Sequence, residues 1–129
     1  MNSVREAKPD SSIYNITPFT NEVSVTGEVA FAQGGVAVID VFDKKSNQSK
    51  NKNGETKVTL SPQVKTSWKN IIQLDSTELA DKKRKTYRLE LDLNEFKDLG
   101  MYKKTWDINV DYKDTTIGTL ESSLKNKLY

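Results

Sequence analysis

Alternation with a period of two is the feature of this sequence that most constrains its fold. Val23, Val25, Val29 and Phe31 alternate with Ser24, Thr26, Glu28 and Ala30; Tyr87, Leu89, Leu91 and Leu93 alternate with Arg88, Glu90, Asp92 and Asn94. Tyr102, Trp106, Ile108, Val110 and Tyr112 alternate with Lys103, Thr105, Asp107, Asn109 and Asp111, with Lys104 as the one break in the apolar row. Successive side chains on a strand point to opposite faces, so each stretch carries one row for a core and one for solvent. Val36 to Phe42 is nearly continuous apolar, as in a strand covered on both faces. Gln33-Gly34-Gly35 supplies a turn tolerant of positive φ, which pairs this strand with the preceding one as a hairpin, and Gly27 reads as a bulge. Thr56 to Leu60 and Ser67 to Leu74 are shorter strands separated by Ser61-Pro62, with Trp68, Ile71, Ile72 and Leu74 as buried mass. Ser76 to Ala80 has room for one helical turn. No helix-length amphipathic segment separates the strands, so the predicted fold is mostly β, an antiparallel sandwich of about seven strands, with a barrel as the alternative.

A chain of 129 residues suits one ordinary domain, but a hydrophobic share of 35% is low for a self-contained globule. Part of the chain is therefore expected to be arm and loop, or to bury surface against a partner. Pro9, Asp10, Ser11, Ser12 and Pro18 mark residues 1–18 as an extended N-terminal arm, followed by a sandwich domain over 19–120 and a C-terminal tail over 121–129. The apolar residues of the two ends, Ile13, Tyr14, Ile16 and Phe19, then Leu124, Leu128 and Tyr129, are the interface candidates. Asp43 to Glu55 is polar and low in complexity, with Asn53-Gly54 as its turn signal, and reads as a solvated, mobile loop. Its four lysines have no interleaved aromatic on which a base could stack.

Several function classes lose support on composition. Twenty basic and eighteen acidic side chains nearly cancel, so no strong field draws in nucleic acid or an anionic membrane. Without cysteine there is no thiolate nucleophile, disulfide or zinc ribbon; without histidine the commonest general base and transition-metal ligand are gone. The polar N-terminus lacks the apolar stretch of an export signal, and no segment approaches the roughly 18 apolar residues of a membrane span, so the expectation is a protein made in the cytoplasm. Asp107-Ile108-Asn109-Val110-Asp111 has the alternate oxygens of a calcium loop, but Tyr112 stands where the turn needs Gly and Gly118 where a bidentate Glu is required. Glu90 and Asp92 share the polar face of a strand beside Arg88, while Asp40 interrupts an apolar strand and needs a partner if buried. No catalytic, cofactor-binding or metal-ligating residue is assigned.

Asp98-Leu99-Gly100-Met101-Tyr102 resembles the Asp-x-Gly-x-Tyr corner of immunoglobulin-like domains, in which a tyrosine starting the sixth strand is tied back to the preceding connection. The resemblance implies Asp98, Gly100 and Tyr102 as a structural corner in an immunoglobulin-like sandwich, although Lys104 occupies the usual cysteine position and only Trp68 is a candidate for the core tryptophan. Over roughly residues 87–120 the chain is also loosely similar to immunoglobulin-like structural modules of bacteriophage particles, such as the N-terminal domain of baseplate upper proteins. That similarity implies a non-enzymatic structural or adaptor component of a larger assembly, a virion capsid, tail or baseplate. Its partners would be other protein subunits, as a homo-oligomer or a multi-protein assembly. A carbohydrate- or protein-binding β-sandwich module is the alternative.

Overall fold

In the computed structural model, which describes residues 4–17, 20–94 and 102–113, the chain forms eight strands, two of them within the segment expected as an extended arm. They are β1 (Val4–Pro9), β2 (Ile13–Ile16), β3 (Glu22–Phe31), β4 (Gly35–Asp43), β5 (Thr56–Leu60), β6 (Thr66–Gln73), β7 (Lys85–Leu93) and β8 (Lys104–Tyr112), with helix α1 (Ser76–Ala80) between β6 and β7. One sheet has the order β1-β3-β6 and the other β2-β8-β7-β4-β5; every neighbouring pair is antiparallel except β2 with β8. Two separate sheets make this a sandwich rather than a barrel.

The apolar rows read from the sequence face one another across the sandwich. Val23, Val25, Val29 and Phe31 of β3 and Trp68 and Ile72 of β6 meet Ala37, Ile39 and Val41 of β4, Tyr87, Leu89, Leu91 and Leu93 of β7, and Ile108 and Val110 of β8, all buried. One polar side chain crosses this interior: Asn70 of β6 donates its Nδ2 to the Ile39 carbonyl at 3.1 Å, tying the two sheets together.

The expected hairpin of β3 and β4 does not form. The turn at Gly34 (φ +75°) and Gly35 (φ +121°), closed by Gly34 N–H on the Phe31 carbonyl at 3.1 Å, carries the chain from one sheet into the other. Both strands have a buried row, and facing sheets bury both rows at once, which pairing side by side does not. Gly27 is likewise no bulge, since the β3–β6 register runs unbroken through Gly27 opposite Trp68. It is a glycine because the Trp68 ring lies across it: a Cβ there would stand 2.2 Å from Trp68 Cζ2 and 2.5 Å from the Lys8 carbonyl oxygen.

The loop expected over Asp43 to Glu55 is solvated along residues 44–49 and 52–55, but its backbone is held rather than free. Asp43 N–H bonds the Gln48 carbonyl and Lys50 N–H the Val41 carbonyl; Lys52 N–H bonds the Ile71 carbonyl, and Gln73 N–H returns to the Lys50 carbonyl. The loop thus sews the end of β4 to the free side of β6, satisfying backbone groups that would otherwise need water. Its polar composition hid this because the bonds are made by the backbone.

Lys50 also drives its ammonium onto Glu78 Oε1 of α1 at 2.6 Å, with both side chains largely buried. The same oxygen accepts Asp75 N–H at 3.0 Å, while Asp75 Oδ1 accepts Glu78 N–H at 2.8 Å, a reciprocal capping box that starts the one-turn helix. Glu78 Oε2 accepts the Tyr87 hydroxyl at 2.6 Å. A tyrosine on the strand after the crossover is thereby anchored to the crossover itself. Burial, followed by the hydrogen bond and charge of Glu78, pushes the Tyr87 phenol well above its ordinary value of 10.0. A phenol that holds its proton more tightly in the folded chain makes the folded state bind more protons than the unfolded one above that value, so the stabilisation is whole below pH 10 and is lost as pH rises. Urea unfolding at pH 9 to 11.5 is expected to show stability falling with a slope of up to about 1.4 kcal/mol per pH unit. In Tyr87→Phe that slope should flatten; an unchanged slope would remove Tyr87 as its source.

Candidate functional site: an open sheet edge

The interface candidates fall in different places. Ile16 is 2% exposed and part of the chain's own core, Tyr14 packs half-buried against it, and Ile13 is 49% exposed. These residues belong to β2, which adds to β8, whereas β1 adds to β3, so the N-terminal segment lays one strand on each sheet. Tyr102 precedes β8 and sets its ring 6.0 Å from that of Phe31 at 60°. Tyr87 is tied to the crossover before its own strand, a role its place in an ordinary alternating row did not signal. Trp68 stands on β6 of the three-stranded sheet. Phe19, Leu124, Leu128, Tyr129, Asp98 and Gly100 lie outside the described residues.

Of the carboxylates that looked chemical, Asp40 and Glu90 are spent on local partners, while Asp92, expected on the polar face, is buried. On the outer face of the five-stranded sheet, Asp40, Glu55, Glu90 and Asp92 line a groove of about 220 Å³ with Phe42 and Lys103, smaller than the roughly 300 Å³ at which ordinary ligand pockets begin. Asp40 Oδ1 accepts Val41 N–H and the Ser49 hydroxyl, both at 2.8 Å, which supplies the partner its position demanded. Glu90, 13% exposed, takes Arg88 on one oxygen and Lys103 on the other, each at 3.0 Å. Burial pushes its carboxyl up, but the hydrogen bonds from Lys103 and Arg88 outweigh that and hold it below the usual range. The calcium-like run divides as well: Asp107 pairs with Lys44 at 3.0 Å, Asn109 takes the Thr86 hydroxyl at 2.8 Å, and Arg84 lowers Asp111 by a bidentate pair. Among the described residues no three acidic side chains converge as a metal site would require. Nor does an aromatic platform cross this face, because Phe42 lies under the Arg88 guanidinium at 5.1 Å.

What remains unspent is backbone. A sandwich of two open sheets has four edges, and natural edges are blunted by cover, proline, bulges or side-chain caps. On β6, residues 50–52 cover one end and the Thr56 hydroxyl bonds the Lys69 carbonyl at 3.3 Å. On β1 the register shifts between Val4 and Glu6, and Pro9 closes the strand. On β2 the Ser11 hydroxyl takes the Ile13 N–H at 3.1 Å and bonds the Ile13 carbonyl at 2.9 Å. Among the described residues β5 has no cover, proline, bulge or side-chain cap, and only the charge of Lys57 guards it.

The direction of its backbone groups follows from its neighbour. Phe42 pairs with Arg88 on one side and Ser49 on the other, so the bonds of Asp43 N–H and the Val41 carbonyl to Gln48 and Lys50 point to the β5 side. Ala37 and Ile39, of the same parity, point that way too and occupy Val58 and Thr56. Lys57 and Thr59 therefore turn their N–H and C=O groups to the open edge, and no described residue bonds them.

Three solved structures share this architecture. The periplasmic chaperone SfaE matches with a TM-score of 0.52 at 6% identity over 84% of this chain and 57% of its own. The E. coli chaperone DraB matches with 0.54 at 7% over 84% and 55%, and the Pseudomonas aeruginosa CupB2 chaperone with 0.50 at 11% over 92% and 61%. The fold is an immunoglobulin-like sandwich. The chain spans little more than half the length of these chaperones, and identities this low speak for the fold alone. No family model and no curated protein sequence matches. The sandwich expectation stands, but the bacteriophage reading does not: these neighbours are chaperones, periplasmic in the case of SfaE, and none of the three is a virion module. The expectations of a virion component and of a protein made in the cytoplasm and carried in a virion are corrected accordingly. The short corner motif behind the virion reading is common to immunoglobulin-like domains and carries no assembly information.

Proposed function

We propose that this chain is a non-enzymatic, protein-binding β-sandwich module that takes up an extended segment of a partner as an added strand on β5. The observation that carries the reading is the free N–H and C=O groups of Lys57 and Thr59, on an edge whose blunting among the described residues comes from the charge of Lys57 and not from cover, proline, a bulge or a side-chain cap. Main-chain hydrogen bonds give such a site its affinity, and the side chains beside them its choice of partner. The fold neighbours are chaperones, proteins named for engaging other polypeptides, which agrees with a protein partner. The glycan alternative has no stacking platform among the described residues to support it, and of the groove carboxylates Asp40 and Glu90 are fixed by hydrogen bonds and ion pairs rather than poised as acid and base.

Thr59→Pro removes one free N–H from the edge and none from the β4 ladder, and proline is tolerated on edge strands. The variant should keep its melting temperature within a few degrees while losing at least tenfold in affinity for strand-forming heptapeptides, a loss on the scale of one removed hydrogen bond. Full retention of peptide binding by a folded Thr59→Pro chain would dispose of the edge as the binding site.

A further inference from the structure

Resting on that reading, we infer that the strand β5 accepts belongs to another protein and is amphipathic, with an acidic side chain set opposite Lys57. Lys57 and Thr59 face outward from the sheet, while Val58 and Leu60 face the core side. A strand laid along this edge repeats that alternation, so its inward row rests beside Val58 and is apolar, and its outward row meets Lys57 and Thr59.

Charge then selects the outward row. Lys44, Lys50, Lys52, Lys65, Arg84, Lys85, Arg88 and Lys103 all reach a carboxylate, whereas Lys57 and Lys69 are among the lysines that make no ion pair with a described residue, and of those they are the two on β5 and β6. These two flank the open edge from either side. Lys57 stands on the outer face of the five-stranded sheet, and Lys69 on that of the three-stranded sheet, its carbonyl within 3.3 Å of the Thr56 hydroxyl. A glutamate or aspartate across from Lys57 gains a cross-strand ion pair, whereas a lysine there is repelled. The same charge turns away a second copy of this chain, whose own Lys57 would be brought to the shared edge. Lys57 is thus a filter: it leaves the backbone groups open to an acidic strand and closed to self-assembly.

The test uses the full chain and two blocked heptapeptides, Val-Thr-Val-Glu-Val-Thr-Val and the same sequence with Lys in place of Glu. Binding is followed by anisotropy, and by amide exchange at Lys57 and Thr59. The glutamate peptide should bind about five- to tenfold more tightly at low salt, with the gap shrinking as salt is raised, and Lys57→Glu should invert the preference. Equal binding of the two peptides, with protection at Lys57 and Thr59, would overturn the charge filter and leave the edge reading intact. If neither peptide protects those amides, the edge reading falls and the filter with it. A concentration-dependent dimer abolished by Thr59→Pro would assign the edge to a second copy and overturn the proposal.

Discussion

Gly27→Ala is expected to destabilise the chain by about 3 kcal/mol, the upper range for forcing extra volume into a packed interior. Equilibrium urea unfolding should show that loss, and thermal melting a drop of roughly 10 °C for a chain this long. The added methyl would enter 2.2 Å from Trp68 Cζ2 and 2.5 Å from the backbone oxygen of Lys8. The indole, 4% exposed and hemmed in on the inner face, has little room to turn aside, and the Lys8 oxygen belongs to a strand paired with β3. Relief therefore requires β1 to move off β3 or Trp68 to leave its place. A Gly27→Ala chain melting within 2 °C of the parent would show that neither contact is as tight as the geometry states.

Glu78→Ala should cost nearly as much, about 2–3 kcal/mol, because it strands two partners inside the fold. The Glu78 carboxylate holds Lys50 and Tyr87 at 2.6 Å each and closes the cap at Asp75, so a single side chain joins residues 44–55, α1 and β7. Its removal leaves a largely buried ammonium with no counter-charge and a phenol with no acceptor. Glu78→Gln, which keeps the shape and one acceptor, should lose distinctly less. A double-mutant cycle with Tyr87→Phe is expected to show coupling of about 1 kcal/mol or more, as residues in one network do. Additive effects would mean that the two side chains do not act together. The loss should appear first as faster amide exchange at Lys50, Lys52 and Gln73, the bonds by which the loop is sewn to β4 and β6.

The carboxylates show why sequence located residues better than it located sites. Glu90 beside Arg88 was legible, because residues two apart on a strand share a face. The Lys103 that completes the pair comes from the segment leading into β8, and the Ser49 that satisfies Asp40 comes from a stretch that read as loose solvent-facing loop. In the same way Ile13 and Ile16 looked equivalent on an arm, and only the docking of β2 against β8 sends Ile16 into the core and leaves Ile13 outside.

The sequence by itself determined the six strands from β3 onward, their inward rows and the sandwich class, because alternation is a property of the backbone that each strand carries wherever it is placed, whereas β1 and β2 lie in what read as an extended arm. It also placed the helical turn at Ser76–Ala80, to which the structure adds the reciprocal cap of Asp75 and Glu78. Only the tertiary structure decided that β3 and β4 part into different sheets, that Gly27 makes room for an indole, and that β5 is the edge left open. Each of these depends on which strands become neighbours. That choice is made by burying both apolar rows together, and no single stretch of the chain contains it.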